Sequence, residues 1–154
     1  MQTHDELAEI VRQRTWDKEL ILWFGPESTL RPFLASIHVE TLDLLDLIES
    51  ASISVDDDEL RRQLTQSLRQ RLKSVPREAA KRTALIVRSA GLLARYRVGV
   101  QDFYDWFCDD FAMAILLIEG RCNENEWPDE VVCVPDKLVE YFKDFGMIKR
   151  LIEA

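Results

Sequence analysis

The sequence has no long hydrophobic run and no secretory leader pattern. Its longest apolar stretch, around Ala112–Ile118, is far shorter than the roughly 20 residues that a membrane-spanning helix needs. The first residues, MQTHDELAEI, contain neither a basic region nor a long apolar stretch, so we expect no signal peptide. Apolar residues still make up 47% of the 154-residue chain, which is too many for a disordered protein. A single globular domain spanning residues 1–154 is therefore expected.

The three cysteines, two histidines and five glycines form no recognisable catalytic or metal-binding motif. Cys108, Cys122 and Cys133 are separated by 14 and 11 residues, without the paired spacing of a zinc site. Reduced thiols in a cytoplasmic protein are the simplest interpretation. The scattered glycines do not make a phosphate-binding loop. We therefore expect no enzymatic activity, no cofactor and no bound metal.

Asp105 and Asp109 are four residues apart on a predicted helix, a spacing that would let them share a metal ion. Helical di-metal sites usually add a Glu-x-x-His pair, and neither His4 nor His38 is near this segment in the sequence. We therefore interpret the two aspartates as the acidic edge of a helix near its N-terminus, where negative charge is favourable.

Apolar residues recur at helical spacing through most of the chain, which predicts an all-α, single-domain bundle of about six helices. The central helix is predicted over residues 100–120, because Phe103, Phe107 and Phe111 share one face and the following residues are apolar on every side. The third helix is predicted over residues 57–74, with a single row of leucines facing inward. The other predicted helices are a bent first one before Gly25-Pro26, a second over residues 32–50, a fourth over residues 76–96 and a last one from Pro135.

Charge is strongly segregated along the chain. Eleven Lys and Arg residues but only one acid, Glu78, lie between Arg61 and Arg97, so this segment has a net charge of +10. The rest of the chain has nine cations and 27 acids, a net charge of −18, and the two parts together give −8. At helical spacing, seven of the cations fall on common arcs of the predicted third and fourth helices. We predict that they form a continuous basic strip: Arg62, Arg69, Lys73, Arg77, Lys81, Arg88 and Arg95.

Three interpretations of this basic strip stay open. The strip can face acidic helices of the same fold and form surface ion pairs, each worth about 0–1 kcal/mol. It can bind an acidic protein partner, or an acidic face of a second copy of the chain. It can bind a nucleic-acid backbone, because arginine recognises phosphate through two parallel hydrogen bonds. The negative charge of the whole chain and the lack of interleaved aromatic residues disfavour nucleic acid.

The segment from Arg31 to His38 resembles the Arg-x(4–6)-His signature of the helical HEPN ribonucleases. The resemblance covers these two residues, and Pro32 stands where that signature commonly has a polar residue. It implies RNA cleavage, with His38 in acid–base chemistry and Arg31 stabilising phosphate charge. This activity is a remote alternative, and we predict that His38 is an ordinary helix residue.

Trp127 lies in an acidic loop, NENEWPDE, and two interpretations of it stay open: the loop packs Trp127 onto the bundle, or Trp127 is exposed and anchors a protein interface. The segregated charge and the lack of catalytic motifs predict a cytoplasmic, non-enzymatic adaptor or small subunit that binds other macromolecules. One alternative is a nucleic-acid-binding subunit of a nucleoprotein complex. Another is an acidic inhibitor of a basic toxin or nuclease, acting through Asp56, Asp57, Asp58 and the Trp127 loop.

Overall fold

The protein has an α/β fold with a parallel sheet at its centre. The computed structural model describes residues 4–13, 16, 19–49, 56–76, 81–107, 111–118 and 150–153. The described residues form five strands, six α-helices and one short 3₁₀ helix. In chain order these are α1 His4–Arg12, β1 Glu19–Phe24, α2 Glu27–Leu30, the 3₁₀ helix Arg31–Leu34, β2 His38–Asp43, α3 Leu44–Glu49, α4 Asp57–Ser74, β3 Thr83–Arg88, α5 Gly91–Arg95, α6 Gln101–Trp106, β4 Ala112–Ile118 and β5 Arg150–Glu153.

The five strands lie in the order β2-β3-β4-β1-β5, and every neighbouring pair is parallel. The predicted all-α helical bundle is therefore wrong. Parallel neighbours need crossover connections, most often helices, and here α3 and α4 connect β2 to β3, while α5 and α6 connect β3 to β4.

β4 replaces the second half of the predicted central helix. All seven side chains of Ala112–Ile118 are buried, because β4 lies between β1 and β3 and both faces of the sheet are covered. A strand buried on both faces is a continuous apolar run, and periodicity alone does not distinguish such a run from a buried helix. Only the first half of the predicted helix is helical, as α6.

The start of the predicted first helix is confirmed as α1, His4–Arg12, whereas the predicted second and fourth helices are wrong. The first five residues of β3 are all buried, and β3 and α5 occupy the segment where the fourth helix was predicted. The predicted second helix is instead the 3₁₀ helix, β2 and α3. β1 lies in the predicted first helical segment, and the predicted last helix ends in β5.

The predicted third helix is confirmed as α4, Asp57–Ser74. Asp56 caps it, since its Oδ1 accepts a hydrogen bond of 2.8 Å from the backbone N–H of Glu59, and a carboxylate is favourable at a helix N-terminus. Three leucines of the predicted row, Leu64, Leu68 and Leu72, are buried. No helix in the described ranges, α4 included, is long and apolar enough to cross a bilayer.

Alternate residues of the strands pack into two cores, one on each face of the sheet. Leu20 and Leu22 of β1 belong to the core that contains the leucines of α4 and the apolar residues of α5 and α6. Ile21 and Trp23 of β1 belong to the core formed with α1, α2 and the 3₁₀ helix. The connection that leaves β1 therefore packs on one face, and the connection that leaves β3 packs on the other.

Some sequence predictions fall on residues outside the described ranges. These are the basic-strip residue Arg77, the interface residue Trp127, the acid Asp109, the three cysteines and the start of the last helix at Pro135.

Candidate functional site

The predicted basic strip is not one continuous helical surface. Arg62, Arg69 and Lys73 lie on α4 as predicted. Lys81, however, precedes β3, and Arg88 is the last residue of β3. Arg95 is the last residue of α5. The angular spacing that aligned these cations applies only to a helix, and their segment instead contains a strand, in which successive side chains point to opposite faces.

Four arginines of the basic segment form ion pairs within the fold. Arg61 and Arg62 pair with Asp58 and Glu59 one turn earlier on α4, and such exposed pairs contribute little to stability. The other two join separate elements: Arg69 of α4 pairs with Asp102 of α6, and Arg88 of β3 pairs with Glu27 of α2. Three residues of the predicted strip, Arg62, Arg69 and Arg88, therefore have acidic partners within the fold.

A groove of about 360 Å³ lies between α4 and α6, and we call it the α4–α6 groove. Leu72, Val75 and Trp106 supply its apolar lining. Leu72 and Trp106 are largely buried, and Trp106 also packs against Phe107 at a ring-centroid distance of 5.8 Å. Trp106 therefore packs against a core residue where it lines the groove, and binding pockets are usually largely preformed.

The rim of the α4–α6 groove has opposite charges on its two sides. Arg69 and Lys73 line it from α4, whereas Asp102 and Asp105 line it from α6. The Arg69 Nε donates a hydrogen bond of 3.0 Å to the Asp102 Oδ1. This hydrogen bond raises the pKa of Arg69, and the charges of Asp102 and Asp105 act in the same direction.

The two remaining rim charges, Lys73 and Asp105, lie outside the Arg69–Asp102 pair. Lys73 and Asp105 are both exposed. Asp105 accepts a hydrogen bond of 3.2 Å from the side-chain amide of Gln101. Lys73 has no ion-pair partner among the residues that the structure describes. The groove therefore presents a cation on the α4 side and an anion on the α6 side to anything that enters it.

The sequence predicts binding residues on the α4 side of this groove, but it does not predict that α6 forms the other side. Arg69 and Lys73 are in the predicted strip, and Asp105 is predicted on the acidic edge of the central helix. The Arg69–Asp102 pair joins residues 33 positions apart, which no local spacing reveals.

A second cluster lies at the carboxyl ends of the strands, and we call Glu27, Arg31 and Arg88 the carboxyl-edge cluster. Arg88 Nε and Nη2 donate to the two carboxylate oxygens of Glu27 at 2.7 and 3.1 Å. Arg31 Nε donates to Glu27 Oε2 at 3.1 Å, and its Nη2 lies 3.0 Å from the same oxygen. The hydrogen bond from Arg88 is the main cause of a lowered Glu27 pKa; burial opposes it, and Arg31 lowers it further.

The local chain positions Glu27 beyond the end of β1. Gly25 has a φ of 145°, a value that glycine tolerates best, and its N–H donates to the carbonyl of Ile118 at 2.9 Å. Pro26 then precedes the short α2, of which Glu27 is the first residue. Because β4 separates β1 from β3 in the sheet, the Glu27–Arg88 pair bridges the end of β4.

A neighbouring hydrogen-bonded turn supports Arg88. Ser89, with a φ of 58°, donates from its hydroxyl to the Asp43 Oδ1 at 2.9 Å. The same oxygen accepts from the backbone N–H of Leu45 at 3.0 Å. Asp43 and Arg88 are also register partners at the ends of β2 and β3. The carboxyl ends of these two strands are therefore fixed together.

The structure separates Arg31 and His38, the two residues of the HEPN-like signature. Arg31 begins the 3₁₀ helix and contacts Glu27, whereas His38 is the first residue of β2 and lies 2.6 Å from Glu40 through its Nε2. His38 is therefore at the amino edge of the sheet, opposite the cluster that holds Arg31. The prediction that His38 is a helix residue is also wrong.

Within the described residues, no group of three or more His, Cys, Asp or Glu side chains is arranged to hold a metal ion. Asp105 lies on α6 as an exposed residue, while its suggested metal partner Asp109 is outside the described ranges.

No protein-family model, no curated protein and no solved structure matches this chain. The geometry of the α4–α6 groove and of the carboxyl-edge cluster is therefore the basis for a functional assignment.

Proposed function

We propose that the protein is a non-enzymatic interaction module, an adaptor or small subunit of a larger assembly, that binds a segment of a partner protein in the α4–α6 groove. The observation that carries this proposal is the combination of an apolar lining with a cation on one rim and an anion on the other. Protein interfaces commonly have this arrangement, with an apolar centre inside a polar rim.

The apolar lining determines what the partner segment inserts. Leu72, Val75 and Trp106 offer no charge to a ligand, and the groove volume of about 360 Å³ lies in the usual range of binding pockets, about 300–1,000 Å³. A buried aromatic residue next to aliphatic side chains is a typical anchor site. The partner segment therefore supplies an apolar side chain at its centre.

The rim charges determine how the partner segment is oriented. An acidic residue of the partner is attracted to Lys73 on the α4 side, and a basic residue is attracted to Asp105 on the α6 side. The reversed orientation brings like charges together, which costs free energy. The partner is thus a peptide with one apolar anchor and opposite charges on its two flanks.

Nucleic acid fits this groove less well than a peptide. The carboxylates of Asp102 and Asp105 repel backbone phosphates, and Arg69 already pairs with Asp102. The net charge of −8 adds a long-range repulsion. A peptide that has charges of both signs meets neither obstacle.

The test begins with a random peptide library displayed on phage and selected on the immobilised protein. Selected peptides are synthesised with a fluorophore, and their affinities are measured by anisotropy. We expect peptides with an apolar residue flanked by an acid and a base. Lys73→Glu should weaken their binding about fivefold, since one rim ion pair is worth about 1 kcal/mol, and Asp105→Lys should weaken it to a similar extent.

The matched control is Arg71→Glu, which makes the same charge change on the same helix. Arg71 is two residues from Lys73 and therefore lies on nearly the opposite side of α4, so Arg71→Glu should leave peptide affinity within about twofold of the wild type. The double variant Lys73→Glu/Asp105→Lys reverses the rim and should select peptides of reversed charge order.

Two results would overturn the proposal. One is a set of peptides that bind the wild type, Lys73→Glu and Asp105→Lys with equal affinity. The other is salt-sensitive binding of labelled RNA or DNA that Lys73→Glu abolishes, because that result assigns the basic side of the groove to phosphate.

A further inference from the structure

The carboxyl-edge cluster lies where parallel sheets commonly bind ligands. In open α/β sheets, ligands enter the crevice outside the carboxyl ends of the strands, where connections leave on opposite faces of the sheet. The connection after β1 packs with Leu30 and Leu34 on the α1 face. The connection after β3 packs with Leu93 and Phe103 on the α4 face. The Glu27–Arg88 pair therefore joins the ends of two strands, β1 and β3, whose connections leave on opposite faces of the sheet.

The cluster has the donors of an anion site. Glu27 accepts hydrogen bonds from Nε and Nη2 of Arg88 and from Nε of Arg31, and the Arg31 Nη2 lies 3.0 Å from the same carboxylate, so the two guanidinium groups converge on it. The net formal charge of the three side chains is +1. The arginine side chains are 42% and 41% exposed and that of Glu27 is 20% exposed, so a ligand can reach the guanidinium groups from solvent. A guanidinium binds carboxylate and phosphate with the same two-point geometry.

We propose that Arg31 and Arg88 bind a phosphate group at the carboxyl edge, and that the Glu27 carboxylate occupies the phosphate position when no ligand is bound. Glu27 is then an internal competitor that the ligand displaces. This role goes beyond the proposed peptide binding and uses no residue of the α4–α6 groove.

The sequence after β1 explains why side chains, and not backbone N–H groups, would bind the phosphate. The segment from Gly25 to Arg31 lacks the glycine-rich sequence and lysine of a phosphate-binding loop. The helix that follows β1 has only four residues, so aligned backbone N–H groups contribute little at this edge. The two arginines therefore have to supply the donors that such a loop would supply elsewhere.

The test titrates the folded protein with inorganic phosphate at constant ionic strength and measures binding by calorimetry. We expect Glu27→Gln to bind phosphate about tenfold more tightly than the wild type, because the substitution removes a like charge next to the ligand. Arg88→Gln should abolish binding, and Arg88→Lys should restore it only in part, since lysine lacks the two-point geometry.

The matched control is Glu9→Gln, which breaks the exposed Glu9–Arg12 ion pair on α1, 3.1 Å in length. Glu9→Gln should leave phosphate affinity unchanged. A second series uses a ribonucleotide instead of inorganic phosphate. Tighter binding of the ribonucleotide would indicate a site for a phosphate ester, and tighter binding of inorganic phosphate would indicate a site for free phosphate.

The decisive result is the effect of Glu27→Gln. A purely structural ion pair predicts that this variant binds phosphate no better than the wild type. If that is observed while circular dichroism reports an intact fold, the proposal is wrong. Equal affinities for chloride and phosphate would also overturn it, because they would indicate only general charge attraction.

Discussion

The guanidinium of Arg82 lies over the indole ring of Trp16, 4.6 Å from the ring centroid, and donates a hydrogen bond to the backbone carbonyl of Val11. The Trp16 Nε1 in turn donates to the carbonyl of Ile10 at 2.9 Å. Arg82 directly precedes β3, and Val11 lies in α1, so these contacts attach the N-terminal helix to the sheet. Burial lowers the pKa of Arg82, which shows that desolvation opposes the charge that makes these contacts.

We expect Arg82→Met to lower the free energy of unfolding by about 2 kcal/mol, the combined scale of one cation–π contact and one charge-assisted hydrogen bond. Urea denaturation followed by tryptophan fluorescence measures this change. Arg71→Met removes an exposed arginine on α4 and should change stability by no more than about 0.5 kcal/mol. Equal effects of the two substitutions would contradict an attaching role for Arg82.

The Glu27–Arg88 ion pair predicts a pH dependence of stability. The pKa of Glu27 is lower in the folded protein than the ordinary value of 4.5, so the unfolded chain takes up the proton first as the pH falls. The stabilisation by Glu27 is therefore fully present above pH 4.5 and is lost as the pH falls through the lower, folded-state pKa.

Glu27→Gln tests this dependence. At neutral pH we expect the variant to be less stable than the wild type by about 1 kcal/mol, and the difference should close as the pH falls below 4.5. Urea denaturation at several pH values measures the difference. In an Arg88→Gln background the stability difference at neutral pH should be smaller, because Arg88 is the main partner of Glu27. A difference that stays constant down to acidic pH would rule out an ionised Glu27 as its source.

Leu116 and Leu45 distinguish the α/β fold from a helical bundle. Leu116 is fully buried in β4, whereas Leu45 is 45% exposed on α3. We expect Leu116→Ala to lower the free energy of unfolding by about 3 kcal/mol and Leu45→Ala to lower it by no more than about 0.5 kcal/mol. Urea denaturation of the two variants is the measurement, and similar losses would contradict the strand assignment.

The helix α4 could be predicted from the sequence because all its signals are local. Asp56 is a strong N-cap, the buried leucines are spaced four residues apart, and the rest of the helix is polar. β3 and β4 could not be predicted in the same way. Their side chains are buried on both faces of the sheet, so they lack the alternation of polar and apolar residues that identifies a half-exposed strand.

Only the cationic residues of the two candidate sites could be predicted from the sequence, for a related reason. Arg69 and Arg88 were predicted as binding residues because of their charge. Their partners, Asp102 and Glu27, are 33 and 61 residues away, and only the path of the chain through the sheet brings them together. Sequence spacing predicts contacts only between residues within a few helical turns of each other, whereas ion pairs between separate elements depend on the topology of the fold.

The position of β1 in the sheet also determines when the protein can complete its fold during synthesis. Glu19 of β1 pairs with Met113 of β4, and the other neighbour of β1 is β5, which is made still later. The ribosome adds about 5–20 residues per second, so β1 leaves the ribosome roughly 5–20 s before the first strand that can pair with it. During that interval one of the most apolar segments of the chain has unpaired backbone groups, and it depends on α1 or on chaperones to remain covered.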